Sequence, residues 1–183
     1  MKRSAYILAG LLAVIAYLVY NYMQGGVVNS AVGSVIGFVS GSFPADWLTR
    51  GADYVPYINQ IEQQYGLPQN YLAAVAYQES NFQPGAVNAG SNATGMFQLL
   101  PQYYPNAGAS WQADAATSAQ ALAGYYRQFG DWQVALAAYN WGPGNVSKWI
   151  NAGEPAGQLP TETSNYIGRI ASALTLQGGL YNV

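Results

Sequence analysis

From residue 53 onward, apolar side chains return at every third or fourth position, and no strong run alternates between apolar and polar. That spacing turns one side of a helix toward a core and leaves no clear half-buried strand. Val55, Ile58, Ile61 and Tyr65 form the first stripe, with Pro56 near its start and Gly66 just past its end. Pro68 opens a second helix, in which Leu72, Val75, Ala76 and Glu79 share a face. A third covers about 115–129, with Ala119, Leu122, Tyr126 and Phe129 inward. Asp131 is placed to cap a fourth, which carries Trp132, Ala135, Leu136 and Tyr139 on one side. The stretch "NWGPG" ends it. Residues 146–151 have room for one or two turns, and a last long helix starts near Thr161 with Ile167, Ile170 and Leu174. No internal repeat interrupts this order. The fold class is all-α, roughly 130 residues around one core.

Ahead of that domain the chain has a different character. Met1 to Arg3 is basic, and residues 5–23, "AYILAGLLAVIAYLVYNYM", carry no charge. Nineteen helical residues span about 28 Å, close to the hydrocarbon thickness of a bilayer. Tyr20 and Tyr22 fall where an interfacial aromatic belt lies, and Lys2 with Arg3 keeps the N-terminus on the cytoplasmic side. Residues 1–24 therefore read as a single transmembrane anchor with the domain on the periplasmic or outer side. A cleavable signal peptide has a shorter apolar core and a small-residue cleavage site, and no clear one follows here. Residues 25–50 read as a Gly/Ser/Val-rich spacer, and residues 51–183 as the domain, although composition already shifts near Phe43 and Pro44.

Charge narrows the function. Charged residues make up 8% of the chain, against about 25% in ordinary domains. With Lys2 and Arg3 set aside, four basic residues face eight acidic ones. No basic stripe exists to neutralise phosphates, which argues against a nucleic-acid partner. The chain has no His and no Cys, so common zinc sites, Cys nucleophiles and Ser-His-Asp triads are absent. No metal or other cofactor is implied. Sixteen Tyr and five Trp among so few charges suit a surface for neutral polar ligands.

One carboxylic acid stands out against this background. Glu79 lies on the apolar face of its helix and near the helix C-terminus. Burial and the negative end of the helix dipole both disfavour its charged form, so the group can hold a proton near neutral pH, as a general acid must. Ser80 and Asn81 follow with hydrogen-bonding side chains. About fifteen residues on comes "GMFQ", where Gly95 permits close backbone approach and Gln98 both donates and accepts. "AAYNWGPG" sets Tyr139 and Asn140 at a helix end, and "LPTETSNY" puts Glu162 and Tyr166 on one helical face at i and i+4.

The set of "ES" at Glu79-Ser80, "GMFQ" at 95–98, "AYN" at 138–140 and "PTETSNY" at 160–166 resembles the soluble-type lytic transglycosylases, the goose-type-lysozyme-like SLT family. Each stretch is weak alone; the four in order are a strong signature, covering about residues 54–176. Phe97 departs from the Met usual before the Gln. The resemblance implies a lysozyme-like helical fold and cleavage of the β-1,4 bond between N-acetylmuramic acid and N-acetylglucosamine of peptidoglycan, leaving a 1,6-anhydro end. By resemblance Glu79 is the catalytic acid and base. Ser80, Gln98 and the backbone of Met96 and Phe97 bind the N-acetyl sugars. Tyr139 and Asn140 line the cleft, and Glu162 supports sugar binding or orients the site through Tyr166. Trp111, Trp141 and Trp149 are further stacking candidates. Asp114 and Asp131 read as helix caps, and Glu154 as a loop residue, so no second catalytic carboxylate is assigned.

The implied partners are peptidoglycan strands, the lipid bilayer through residues 5–23, and a phage virion membrane or a bacterial secretion machine. Two rivals stay open: a muramidase-type hydrolase on the same fold, and a non-catalytic module that only binds peptidoglycan.

Overall fold

A computed structural model of the chain describes residues 43–153 and 159–176. The anticipated anchor, most of the spacer and Glu154 lie outside the described residues, so the single-pass topology is not on view. Among the described residues no helix is long and apolar enough to cross a membrane.

Among the described residues seven helices make up the architecture: α1 (Trp47–Arg50), α2 (Val55–Tyr65), α3 (Tyr71–Ser80), α4 (Trp111–Phe129), α5 (Trp132–Trp141), α6 (Pro143–Asn151) and α7 (Thr161–Leu176). Helix α3 packs between α2 and α7, while α5 packs against α4, α6 and α7. Two isolated antiparallel bridges, Val87 with Thr94 and Thr94 with Leu99, are the sheet-like pairings among the described residues. Ile58, Leu72, Met96, Phe97, Leu122, Leu136, Ile167, Ile170 and Leu174 are fully buried at the centre.

Most of the helix order follows the periodicity, and the differences have local causes. Pro68 does not open α3. Asn70 takes a left-handed conformation (φ 62°), so the helix begins only at Tyr71. Instead of one apolar stripe, α3 buries six consecutive residues from Tyr71 to Ala76. It is hydrophobic all round and sits inside the bundle, where three alanines allow close neighbours. Helix α4 begins at Trp111 because Ser110 caps it through the Ala113 N–H. Asp114 is therefore not a cap: it is buried in the first turn, where it accepts the Gly108 N–H at 3.1 Å. Asp131 does cap α5, accepting from Gln133 N at 2.7 Å and Val134 N at 3.0 Å. Tyr126 is exposed, not inward, and stacks on Trp132 with 4.0 Å between ring centres. Helix α6 starts at Pro143, directly after Gly142 (φ 93°) breaks α5.

Residues 43–50, counted with the spacer although composition shifts near Phe43 and Pro44, join the core. Phe43 and Trp47 are buried beside Tyr77 and Phe82, the Trp47 and Phe82 rings lying parallel. The space against Gly51 is filled by Phe82: a Cβ there would stand 2.6 Å from the ring. Phe82 itself is left-handed (φ 60°), as is Asn81 (φ 55°), so this aromatic cluster clasps a strained exit from α3.

The start of α3 is held by a carboxylate from α2. Glu62 is buried and accepts three backbone N–H groups, Asn70 at 2.8 Å, Leu72 at 2.8 Å and Ala73 at 3.1 Å. These are donors that a helix cannot satisfy internally, and the N-terminal dipole favours an anion there. Burial pushes the Glu62 carboxyl up to about 7, against the downward pull of the three amides. Glu62→Ala leaves all three donors buried without a partner and should cost roughly 3 kcal/mol or more. Thermal unfolding should show a midpoint lower by about 10 °C, and an unchanged midpoint would refute this role.

Candidate active site

Glu79 occupies the last turn of α3, with its side chain partly buried. Its Oε1 accepts a 2.7 Å hydrogen bond from the Tyr166 hydroxyl on α7. Tyr166 is itself buried, and α7 is brought to α3 by the packing of those two helices. Burial pushes the Glu79 carboxyl from 4.5 up to about 7; the Tyr166 bond pulls it down and the Glu162 charge pushes it further up. The group thus stands near half protonation at neutral pH, where a proton donor that must also become an acceptor works best.

The loop carrying Gly95 to Gln98 is tied to the same helix end. Ser80 Oγ donates to Met96 O at 2.8 Å and accepts from Gln83 N at 2.9 Å. Tyr139 donates its hydroxyl to Phe97 O at 2.9 Å. That commits the one Tyr139 proton, so the 3.0 Å contact with Ser118 Oγ has the serine as donor. Burial, and then the Glu79 charge, push the Tyr139 hydroxyl well above its ordinary range, so it stays neutral. The Met96 and Phe97 side chains are fully buried, and their carbonyls are spent on Ser80 and Tyr139. Gln98 adopts a left-handed backbone (φ 48°) and donates Nε2 to Gly95 O at 3.0 Å. The loop fits only because Gly95 (φ 79°) has no side chain, since a Cβ would lie 2.4 Å from Asp114 Oδ2.

Asn140 ends α5 beside Tyr139. Its Oδ1 accepts from Thr163 Oγ1 at 2.7 Å, which fixes the amide and aims its NH₂ elsewhere. Glu162 is exposed at the start of α7 and reaches Glu79 through its charge. The hydroxyl of Tyr166 goes to Glu79, not to Glu162. Ser118 is the site residue that carries no signal of its own in the sequence, whereas Thr163 lies inside the PTETSNY stretch with no role assigned to it. Both are buried hydroxyls that orient another side chain.

Alongside lies a groove of about 680 Å³. Gln98, Tyr139, Asn140, Trp141, Tyr103, Tyr104 and Lys148 are among the residues that line it. Among the described residues no Asp or Glu lines it. Of the three tryptophans considered for stacking, Trp141 lines the groove. Trp149 is buried, and Trp111 packs edge-on against Tyr54 and Tyr57.

Residues 56–158 match the family model described as the transglycosylase SLT domain. The chain belongs to that family. Among curated relatives, this SLT domain is 30% identical over 86 residues to membrane-bound lytic murein transglycosylase C of Actinobacillus succinogenes, covering 46% of this chain and 23% of that protein. It is 28% identical over 148 residues to membrane-bound lytic murein transglycosylase D of Escherichia coli, covering 70% and 32%. The chain thus spans a quarter to a third of the length of these relatives. Among solved structures, an inactive mutant of lytic transglycosylase Slt from Pseudomonas aeruginosa superposes with a TM-score of 0.60 at 19% identity, covering 90% of this chain and 30% of that one. That likeness bears out the all-helical, lysozyme-like expectation for the SLT domain's fold.

Two outcomes follow from the electrostatics of the site. Because the fold raises the Glu79 pKa from 4.5 to about 7, the folded state holds this proton more tightly than the unfolded chain. Its contribution to stability is full below pH 4.5 and is lost as pH rises to about 7. Glu79→Gln, which cannot ionise, should therefore gain on the parent between pH 5 and 8 in urea unfolding; a constant difference would contradict the raised pKa. Tyr166→Phe removes the bond that stabilises the anion, so a carboxyl-carbon NMR titration should find Glu79 shifted to still higher pH.

Proposed function

We propose that this domain cleaves the β-1,4 bond between N-acetylmuramic acid and N-acetylglucosamine in peptidoglycan as a lytic transglycosylase. What carries the reading is a carboxyl raised to about 7, Glu79, hydrogen-bonded to Tyr166 in the last turn of α3, with no carboxylate among the described residues that line the neighbouring groove. Glu79 in its protonated form gives its proton to the glycosidic oxygen, which leaves as the 4-hydroxyl of N-acetylglucosamine. The N-acetyl oxygen of the muramyl residue supports the positive anomeric carbon, as in substrate-assisted glycosidases. Glu79, now anionic and held by Tyr166, takes the proton of the muramyl 6-hydroxyl while that oxygen bonds to the anomeric carbon. The product is a 1,6-anhydro end, no water is consumed, and Glu79 regains its proton.

The other side chains serve this step. Gln98, with its amide NH₂ turned to Gly95, keeps an acceptor oxygen for an acetamido N–H. Asn140, with its oxygen committed to Thr163, offers its NH₂ as a donor to the strand. Ser80 and Tyr139 hold the Met96-Phe97 backbone against the sugar. Glu162 keeps the Glu79 proton in place by its charge.

Residues 5–23 supply a membrane anchor in this proposal, with the domain on the outer side. The names of the curated relatives carry the same "membrane-bound" description. An anchored wall-cutting domain suits local penetration of the wall, during virion entry or for an envelope-spanning machine.

Mass spectrometry of digested peptidoglycan tests the chemistry. The parent should yield anhydro-muramyl ends, and Glu79→Gln should be folded yet at least ~10²-fold slower. Reducing ends would make the protein a hydrolase, and no product from the parent would make it a binding module. The rate should fall as pH rises through about 7, because the acid must enter the reaction protonated.

A further inference from the structure

The groove has one charged lining residue, and the proposed bond cleavage has no use for it. Lys148 lies on α6, which presents Gly144, Asn145 and Lys148 to the groove. Those positions are related by i+3 and i+4, so they share one helical face, while Val146 and Trp149 on another side enter the core. Lys148 is exposed and counts among the residues that line the groove. Every other lining residue is neutral: glutamines, asparagines, tyrosines, one tryptophan and small or apolar residues. Among the described residues the one ion pair joins Arg50 to Asp46, so Lys148 has no anionic partner among them. In a chain of net charge -2, the groove therefore has the opposite sign to the molecule. A wholly neutral polymer of N-acetylglucosamine would offer an ammonium there only neutral acceptors, whereas a ligand carboxylate would add the attraction of an opposite charge.

Resting on the reading of the site given above, we propose that Lys148 is a specificity residue that binds a carboxylate of the glycan strand during productive binding. Two sources share that chemistry. One is the lactyl group of muramic acid, free only where the peptide has been removed. The other is the peptide stem, in which the lactyl carbonyl is an amide and the carboxylates belong to the amino acids.

Steady-state kinetics of the full chain and of Lys148→Met decide it. Four substrates are compared: peptide-bearing strands, strands stripped of peptide by an amidase, and each of these after carbodiimide amidation of its carboxylates. On the strand type whose carboxylate is recognised, Lys148→Met should raise KM about tenfold with kcat little changed, one charge-assisted bond's worth. That difference should shrink in high salt and vanish on the amidated strand. Loss on peptide-bearing strands alone assigns the stem, and loss on stripped strands alone assigns the lactyl group. Equal KM for parent and variant on both untreated strands would overturn the proposal. So would an equal loss before and after amidation, which would make Lys148 a structural complement to the C-terminal end of α6. Anhydro product from the parent in these same assays keeps the chemistry of Glu79 separate from the outcome for Lys148. Lys148→Arg, which retains the charge, should restore most of the affinity.

Discussion

The site depends on a short helix being held still at both ends. At its start, three backbone N–H groups of the α3 entry converge on the buried Glu62 carboxylate. At its exit, consecutive left-handed residues, Asn81 and Phe82, are clasped by the rings of Trp47 and Tyr77. Between them α3 runs through the core with six residues buried in succession. A helix fixed in this way delivers Glu79 to one position, and a proton donor is useful only where its geometry is fixed. The two carboxyls on this path share a raised pKa with burial as the leading cause, yet differ in surroundings. Glu62 meets three amides and is a structural clamp, whereas Glu79 meets one phenol, that of Tyr166.

Around Glu79 the hydroxyls are arranged so that each known proton has a destination. Tyr166 donates to Glu79, Thr163 to Asn140, Ser118 to Tyr139 and Tyr139 to Phe97 O. Four parts of the chain meet in this network: α3, the Gly95 loop, the α4–α5 pair and α7. Satisfied buried hydroxyls make the cluster rigid. Asn81 and Phe82 at the exit of α3 and Gln98 in the Gly95 loop have left-handed backbones, a conformation that stores local strain.

Much of this was legible beforehand because it is local. Helix spacing, the Asp131 cap and the break at Gly142 are properties of neighbouring residues, and they locate most of the bundle. The four short stretches that carry Glu79, Gly95 to Gln98, Tyr139-Asn140 and Thr163-Tyr166 are likewise readable in one dimension. What was not legible shares one cause. Glu62 sits in an amphipathic helix as an ordinary polar residue until the α3 entry folds over it, and Ser118 is one more small polar residue in an alanine-rich helix. Asp114 has the look of a cap because it opens an apolar run. Only the position of Gly108 shows that it holds a loop. Composition already shifts near Phe43 and Pro44, but only contact with Tyr77 and Phe82 places Phe43 and Trp47 in the core.

The amino-acid order by itself determined an all-helical domain and nominated one acid, Glu79, because spacing, caps and helix-end position act over three or four residues. Tertiary structure decided how that acid behaves. Its proton affinity is set by desolvation, by a phenol 87 residues away and by the charge of Glu162. The same holds for the spent carbonyls of Met96 and Phe97 and for the lone ammonium in an otherwise neutral groove. Each of these depends on distances through space, which no local pattern encodes.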